Sequence, residues 1–149
     1  FLVYLWFRWL IIASKSAGQA TRDNIDEYIT TTENAIRKLT KTKNVKVIIN
    51  INPSEPPVNM MNSLFFETKK KITNTEYTKM QKNVNYINKK IKSYIPEYNA
   101  KIFKTFENNI VRVTIRVVGQ GDYLPKYAGN LDIITSSAVY LSKMIHEKK

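Results

Sequence analysis

The sequence predicts an α/β fold, an α+β sandwich with helices packed on one face of a mixed sheet, preceded by a membrane-anchor helix. Three observations predict it. Strand-like and helix-like periodicities alternate from residue 45 onward, the pattern of a helix-on-sheet domain. One helix carries its own start and stop signals. The opening run is apolar over twelve residues, broken only by Arg8.

That run, Phe1–Ile12, would rise about 18 Å as a helix, short of the ~30 Å hydrocarbon core. It reads as the later part of a transmembrane helix, in a fragment or processed form, since the chain begins with Phe1. Trp6 and Trp9 suit an interfacial aromatic belt, and Arg8 would snorkel to a headgroup or face a partner subunit. A residual signal-peptide core and an amphipathic surface anchor are the rival readings, and Ala13–Ala17 makes a poor cleavage site. The anchor spans residues 1–18.

Residues 19–44 form a helical stalk. Ile25, Ile29, Thr32, Ile36 and Leu39 recur at spacings of four, three, four and three. This is one helical face, either a short coiled-coil seam between copies or packing on its own domain.

The soluble domain covers residues 45–149. Val45, Val47, Ile49 and Ile51 alternate as one face of a strand, and three prolines between residues 53 and 57 break regular structure after it. Ser63–Phe66 is a short strand. Thr73 and Glu76 have capping-box spacing, the hydroxyl and the carboxylate each covering a free backbone N–H. The helix they open carries Tyr77, Met80, Val84, Ile87, Ile91 and Ile95 on one stripe, lysines opposite, and ends at Pro96. Residues 101–106 and 110–118 are strands around a hairpin loop at Glu107–Asn109. A last helix, capped by Asn130 or Asp132, would bury Ile134, Ala138, Leu141 and Ile145. A parallel crossover is expected where the long helix separates residues 64–66 from 111–118.

Composition narrows the function. Lys plus Arg number 24 against 12 acids, a net charge of +12, which favours anionic partners or reflects compositional drift. With no cysteine there is no disulfide, thiolate nucleophile or Cys metal site, and His146 stands without a supporting motif. No phosphate loop or nucleophile elbow is visible. The expectation is therefore no enzyme, no metal and no cofactor.

Leu64-Phe65-Phe66, the following helix, Gly119, Asp122 and Asn130 eight residues beyond it resemble the OmpA/MotB family of peptidoglycan-binding domains over residues 45–146. The resemblance implies a wall-ligand site at Gly119, Asp122, Asn130 and Ser137, with Asp122 on the amine of diaminopimelate. Gln120-Gly121 replaces the family's His-Thr, and Ser137 stands where the family has an arginine that holds a carboxylate. The implied protein is a non-catalytic tether or stator-like subunit of the cell envelope. It would be anchored in the bacterial inner membrane, or an organellar one, with the domain on the periplasmic side. Its partners would be peptidoglycan, other membrane-complex subunits and a second copy through the stalk. A structural accessory subunit and a basic RNA-binding protein of a ribosome-like assembly are the alternatives, Lys and Arg then meeting phosphates. Gly119 as a plain turn residue, Asp122 as a loop cap and Asn130 as a helix cap remain open readings.

Overall fold

The structure, a computed structural model, describes residues 4–15, 17–105, 107 and 109–147. Phe1, Leu2, Val3 and Ser16 of the expected anchor, and Phe106 and Asn108 of the expected strand and hairpin loop, lie outside the described residues. So do residues 148 and 149.

Five strands form one mixed sheet: β1 (Tyr4–Ser14), β2 (Asn44–Asn52), β3 (Met61–Thr68), β4 (Tyr98–Lys104) and β5 (Ile110–Val117). Their spatial order is β2-β1-β3-β5-β4. Among the described residues four α-helices accompany them, α1 (Gln19–Asp23), α2 (Ile25–Thr40), α3 (Asn74–Lys92) and α4 (Gly129–Glu147), with a 3-10 turn at Lys126–Ala128.

The apolar opening is a strand, not a membrane helix. β1 pairs parallel with β2, Trp9 opposite Val47, and antiparallel with β3, Phe7 opposite Phe66. Successive side chains of a strand point to opposite faces. Phe7, Trp9 and Ile11 go to one face, Trp6, Arg8, Leu10 and Ile12 to the other. A strand carrying apolar groups on both faces reads as an unbroken apolar run, which is what a truncated membrane span also looks like. No helix among the described residues is long and apolar enough to cross a membrane. The anchor, the inner-membrane placement and the membrane partner inferred from it are therefore corrected. Trp9 sits half-buried with its indole N–H on Asn62 Oδ1 at 3.0 Å, and Arg8 lies over the Trp6 ring at 5.5 Å.

The parallel β1–β2 pair needs a crossover, and α1 and α2 supply it. The expected parallel pairing across α3 is not observed; β3 and β5 are antiparallel. One sheet face lies under the helices. Phe7, Val45 and Val47 pack there with Ile36 of α2, and Ile29, Leu64 and Phe66 join them. Phe7 meets Phe66 edge to face at 4.7 Å. Leu39, at the end of the α2 stripe, is exposed. Glu33 ties α2 to the sheet. Its carboxylate accepts the Val47 N–H at 3.0 Å and an Arg37 N–H at 2.9 Å. These contacts hold its pKa below the ordinary carboxylate value, the backbone bond being the larger cause.

A second core lies under α3 at the β4–β5 end, where Ile95, Tyr98, Ala100 and Val117 are buried with Val84, Ile91, Tyr94 and Ile133 against them. The capping box at Thr73 and Glu76 is formed, and both its backbone bonds are present. Asn88 extends the tie, its side-chain amide bonding both the N–H and the C=O of Ala100 at 2.8 and 2.7 Å. Burial pushes the Tyr98 hydroxyl's pKa up.

The last helix departs from expectation. Ile133 packs into the second core and Tyr140 stacks on Tyr94 at 5.0 Å. The stripe expected to be buried, Ile134, Ala138, Leu141 and Ile145, is exposed. Periodicity identifies an apolar stripe but not the body it faces.

Candidate functional site

Two regions of this sheet are candidates for function: the edge at which β1, β2 and β5 end, here called the carboxyl edge, and the uncovered face.

β1, β2 and β5 run in one direction, so the loops after Ser14, Asn52 and Val117 open at the same edge. Ligands of open α/β sheets bind outside the carboxyl ends of strands, where loops diverge. The loop after β1 is fixed by Arg22. Its guanidinium donates to the Lys15 carbonyl at 2.6 Å and to the Ala17 carbonyl at 3.2 Å. Lys15 also pairs with Glu55 of the loop after β2, joining the two loops. That second loop begins with an Asx turn, Ser54 N–H to Asn52 Oδ1 at 2.9 Å.

The loop after β5 is held against the start of α4. The Gly119 N–H donates to the Lys126 carbonyl at 2.7 Å, and the Gln120 N–H to Asp132 Oδ2 at 2.8 Å. Gly129 opens α4 directly beneath the strand end. A Cβ there would stand 2.5 Å from the Val117 carbonyl oxygen. A Cβ on Gly119 would collide with the Asp132 carboxylate. Close approach of backbone is thus the reason for Gly129, the Asp132 side chain occupies the space beside Gly119, and Gly121 has a φ of +86° that disfavours a side chain.

The four residues singled out from the sequence divide accordingly. Gly119 is buried at the strand end, Asp122 is exposed on the same loop, and Asn130 is exposed in the first turn of α4. Ser137 lies two turns further along α4, its hydroxyl donating to the Ile134 carbonyl at 2.8 Å. It lines a groove of about 760 Å³ between α3 and α4, with Tyr86, Ile91 and Leu141. Three of the four therefore share the carboxyl edge, and Ser137 does not. Sequence reasoning missed Lys15, Arg22 and Glu55, and took Asp132 only as a helix cap. The signal available was an apolar run too short for a bilayer, followed by Ser, Ala and Gly and then a helical pattern, which describes a strand–turn–helix. His146 is in the last turn of α4. Among the described residues no group of His, Cys, Asp and Glu could hold a metal ion.

The second region is the sheet face opposite the helices. Trp6, Leu10 and Ile12 of β1, Ile48 of β2, and Met61 and Phe65 of β3 lie there, an apolar band interrupted by Arg8, Lys46 and Ser63. Trp6, near the start of β1, is 41% exposed, and Ile48, on the edge strand β2, is 49% exposed. β4 and β5 continue the face with a basic band. Lys101, Arg112 and Arg116 project beside Phe103, and the Arg112 guanidinium lies 4.8 Å from that ring.

Comparison with known proteins corrects the family. The model of the family described as "Prokaryotic acetaldehyde dehydrogenase, dimerisation" matches residues 10–125. An acetaldehyde dehydrogenase of Spirochaeta aurantia is 41% identical over 92% of this chain and 46% of its own length. That of Pectobacterium atrosepticum is 41% identical over 90% of this chain and 44% of its own. Acetaldehyde dehydrogenase 1 of Dechloromonas aromatica is 41% identical over 92% and 44% respectively. The chain spans about half the length of the curated relatives it matches. These relatives are named as enzymes, so the non-catalytic tether, the accessory subunit and the RNA-binding alternative are overturned together. The OmpA/MotB resemblance rested on Leu64-Phe65-Phe66, the helix after it, Gly119, Asp122 and Asn130, a strand, a helix and a glycine-bearing loop of a kind that unrelated domains also carry. Peptidoglycan is withdrawn as a ligand, and the stator-like role with it. The chain belongs to the prokaryotic acetaldehyde dehydrogenase dimerisation family.

Proposed function

We propose that this chain is the subunit-pairing half of an acetaldehyde dehydrogenase, in which two copies join through their uncovered sheet faces and the carboxyl-edge loops help to position the aldehyde. The observation that carries the reading is the apolar band of Trp6, Leu10, Ile12, Ile48, Met61 and Phe65 on a face no helix covers. Contiguous exposed apolar surface rimmed by polar residues marks a contact with another protein. Five strands spaced about 4.8 Å and about 26 Å long give roughly 600 Å² of flat sheet, before side-chain relief. A standard interface takes about 800 Å² from each partner, so most of one would come from this face. A two-fold pairing sets the same band on both copies, which suits an apolar strip and leaves the cations of β4 and β5 toward the rim.

The catalytic contribution follows from the other region. Its backbone is pinned by Arg22, Asp132 and the close approach at Gly129, and rigid placement is what a reacting group needs from its support. Asp122, Asn130 and Lys15 are among the polar side chains it presents.

Sedimentation of the chain over a concentration series tests the pairing. Dimers are expected, and Ile48→Glu should give monomers. Dimers that survive Ile48→Glu would sink the pairing surface. A chimera in which this chain replaces the matched stretch of the Spirochaeta aurantia relative tests the activity. Acetaldehyde oxidation by the chimera is expected, and a folded, dimeric but inactive chimera would count against the enzymatic reading.

A further inference from the structure

β5 places two arginines on the uncovered face, and β4 sets a lysine between them. Strand register fixes the layout. Phe103 stands opposite Arg112, Lys101 opposite Thr114 and Asn99 opposite Arg116. On the other side of β5, Ser63 stands opposite Thr114 and Met61 opposite Arg116. Residues two apart on a strand share a face, so these side chains all project the same way. Diagonal neighbours on paired strands lie about 7–8 Å apart, which puts Lys101 that far from both Arg112 and Arg116. β5 is bonded to β3 on one side and β4 on the other, so the backbone under the two arginines is held firmly. A depression of about 350 Å³ lies over the patch.

The three cations are exposed, and no acid answers them. Among the described residues the cations with a carboxylate partner are Arg8, Lys15 and Arg37. No carboxylate lines the depression. The Arg112 guanidinium meets the Phe103 ring at 4.8 Å, a contact that uses none of its five N–H donors. Three like charges gathered without a counter-charge repel one another, and an anion of more than one charge relieves all three at once. Guanidinium forks match the oxygen pairs of a phosphate, and the hydroxyls of Ser63 and Thr114 can donate to oxygens that only accept. We propose that this depression binds a small, multiply charged phosphate, a diphosphate or a phosphate monoester, through Arg112, Arg116 and Lys101. The site is complete within one chain. It rests neither on the enzymatic reading nor on the pairing surface: Ile48 is on β2, at the opposite end of the sheet from β4, and the pairing leaves these cations toward the rim.

Isothermal titration calorimetry of the 149-residue chain with pyrophosphate, at constant ionic strength, tests the site. Saturable binding at a single site per chain is expected. Arg112→Gln and Arg116→Gln should each weaken it about tenfold or more, the loss of a charge-assisted bond. The double variant Lys79→Gln, Lys82→Gln takes more charge from the exposed side of α3 and should leave affinity within about twofold, since distant surface charges are screened. Equal losses in the two regions would show attraction to net charge alone and overturn the inference. No saturable binding, or malonate bound as tightly as pyrophosphate, would also overturn it. A footprint needs no variant. Pyrophosphate should protect Arg112 and Arg116 from phenylglyoxal, read by mass spectrometry, and leave Arg8, Arg22 and Arg37 unprotected. Protection of Arg22 instead would move the anion to the carboxyl edge and overturn the site. Ile48→Glu should bind pyrophosphate as the parent does. Binding lost together with the dimer would place the site between copies and overturn it, whereas dimers that persist with binding intact would sink the pairing surface alone.

Discussion

The two faces of the sheet are built from the same strands and have opposite fates. On the covered face, Val47, Ile95 and Val111 are almost wholly removed from water, and every strand contributes to a core beneath a helix. On the uncovered face, side chains of comparable hydrophobicity, Trp6 and Ile48 among them, remain accessible. Alternation along β1 decides which is which: Phe7 goes under α2, and Trp6 and Arg8 go outside. The difference teaches that apolar content alone does not assign a residue to the core. The covered face encodes the fold of one copy, and the uncovered face is the one we propose to encode association.

The comparison can be broken most forcefully on the covered face. Ile95→Ala should cost about 2–5 kcal/mol of folding stability by lost transfer energy and a residual cavity, measured by urea unfolding. A loss under about 1 kcal/mol would mean that the second core is not packed as described. On the uncovered face, Trp6→Ala should leave monomer unfolding nearly unchanged and weaken association by about 2 kcal/mol or more, near thirtyfold in the dissociation constant. The reverse pattern, a destabilised monomer with intact dimers, would exchange the roles of the faces.

A third prediction concerns the tie between α2 and the sheet. Glu33 has its pKa lowered in the folded state, so the folded state favours its charged form. Its stabilisation is complete above the unfolded-state value near 4.5 and is lost as pH falls through the lower folded-state value. Glu33→Gln should cost about 1–3 kcal/mol at neutral pH, because the Arg37 partner and the Val47 N–H lose a charged acceptor. It should also flatten the acid limb of the stability profile below pH 4.5. An acid limb identical to that of the parent would remove Glu33 from the account. The smallest effect is expected at the start of α3, where Thr73→Ala removes the side-chain acceptor for the Glu76 N–H and should cost about 1 kcal/mol. No change in the melting temperature would mean that the capping box frays in solution.

Much of this architecture was legible in the sequence. Val45, Val47 and Ile49 alternate because only one face of β2 is covered, and that half-burial makes the period visible. Thr73 and Glu76 announce α3 because capping is a local interaction. β1 was not legible as a strand, since it carries apolar groups on both sides, toward the core and on the proposed pairing face. The stripe of α4 was found, but its direction was not, because periodicity carries no information about what lies opposite. Gly119, Asp122 and Asn130 were singled out through the family resemblance, and they lie between the end of β5 and the first turn of α4. Arg22 and Lys15 escaped notice because their roles run through backbone carbonyls and through Glu55, a pairing across 40 residues that no local pattern shows. The family itself was misread because a strand, a glycine-bearing loop and a helix in succession recur in unrelated domains.

The central claim is that two copies meet through the uncovered face with their helices outward. The chain has no cysteine, so a single spin label can be introduced cleanly at Lys46→Cys on the uncovered face or at Lys82→Cys on the exposed side of α3. Pulsed dipolar spectroscopy on each labelled dimer measures the distance between copies directly. The account predicts a clearly shorter distance from position 46 than from position 82. A shorter distance from position 82 would place the helices at the interface and contradict it.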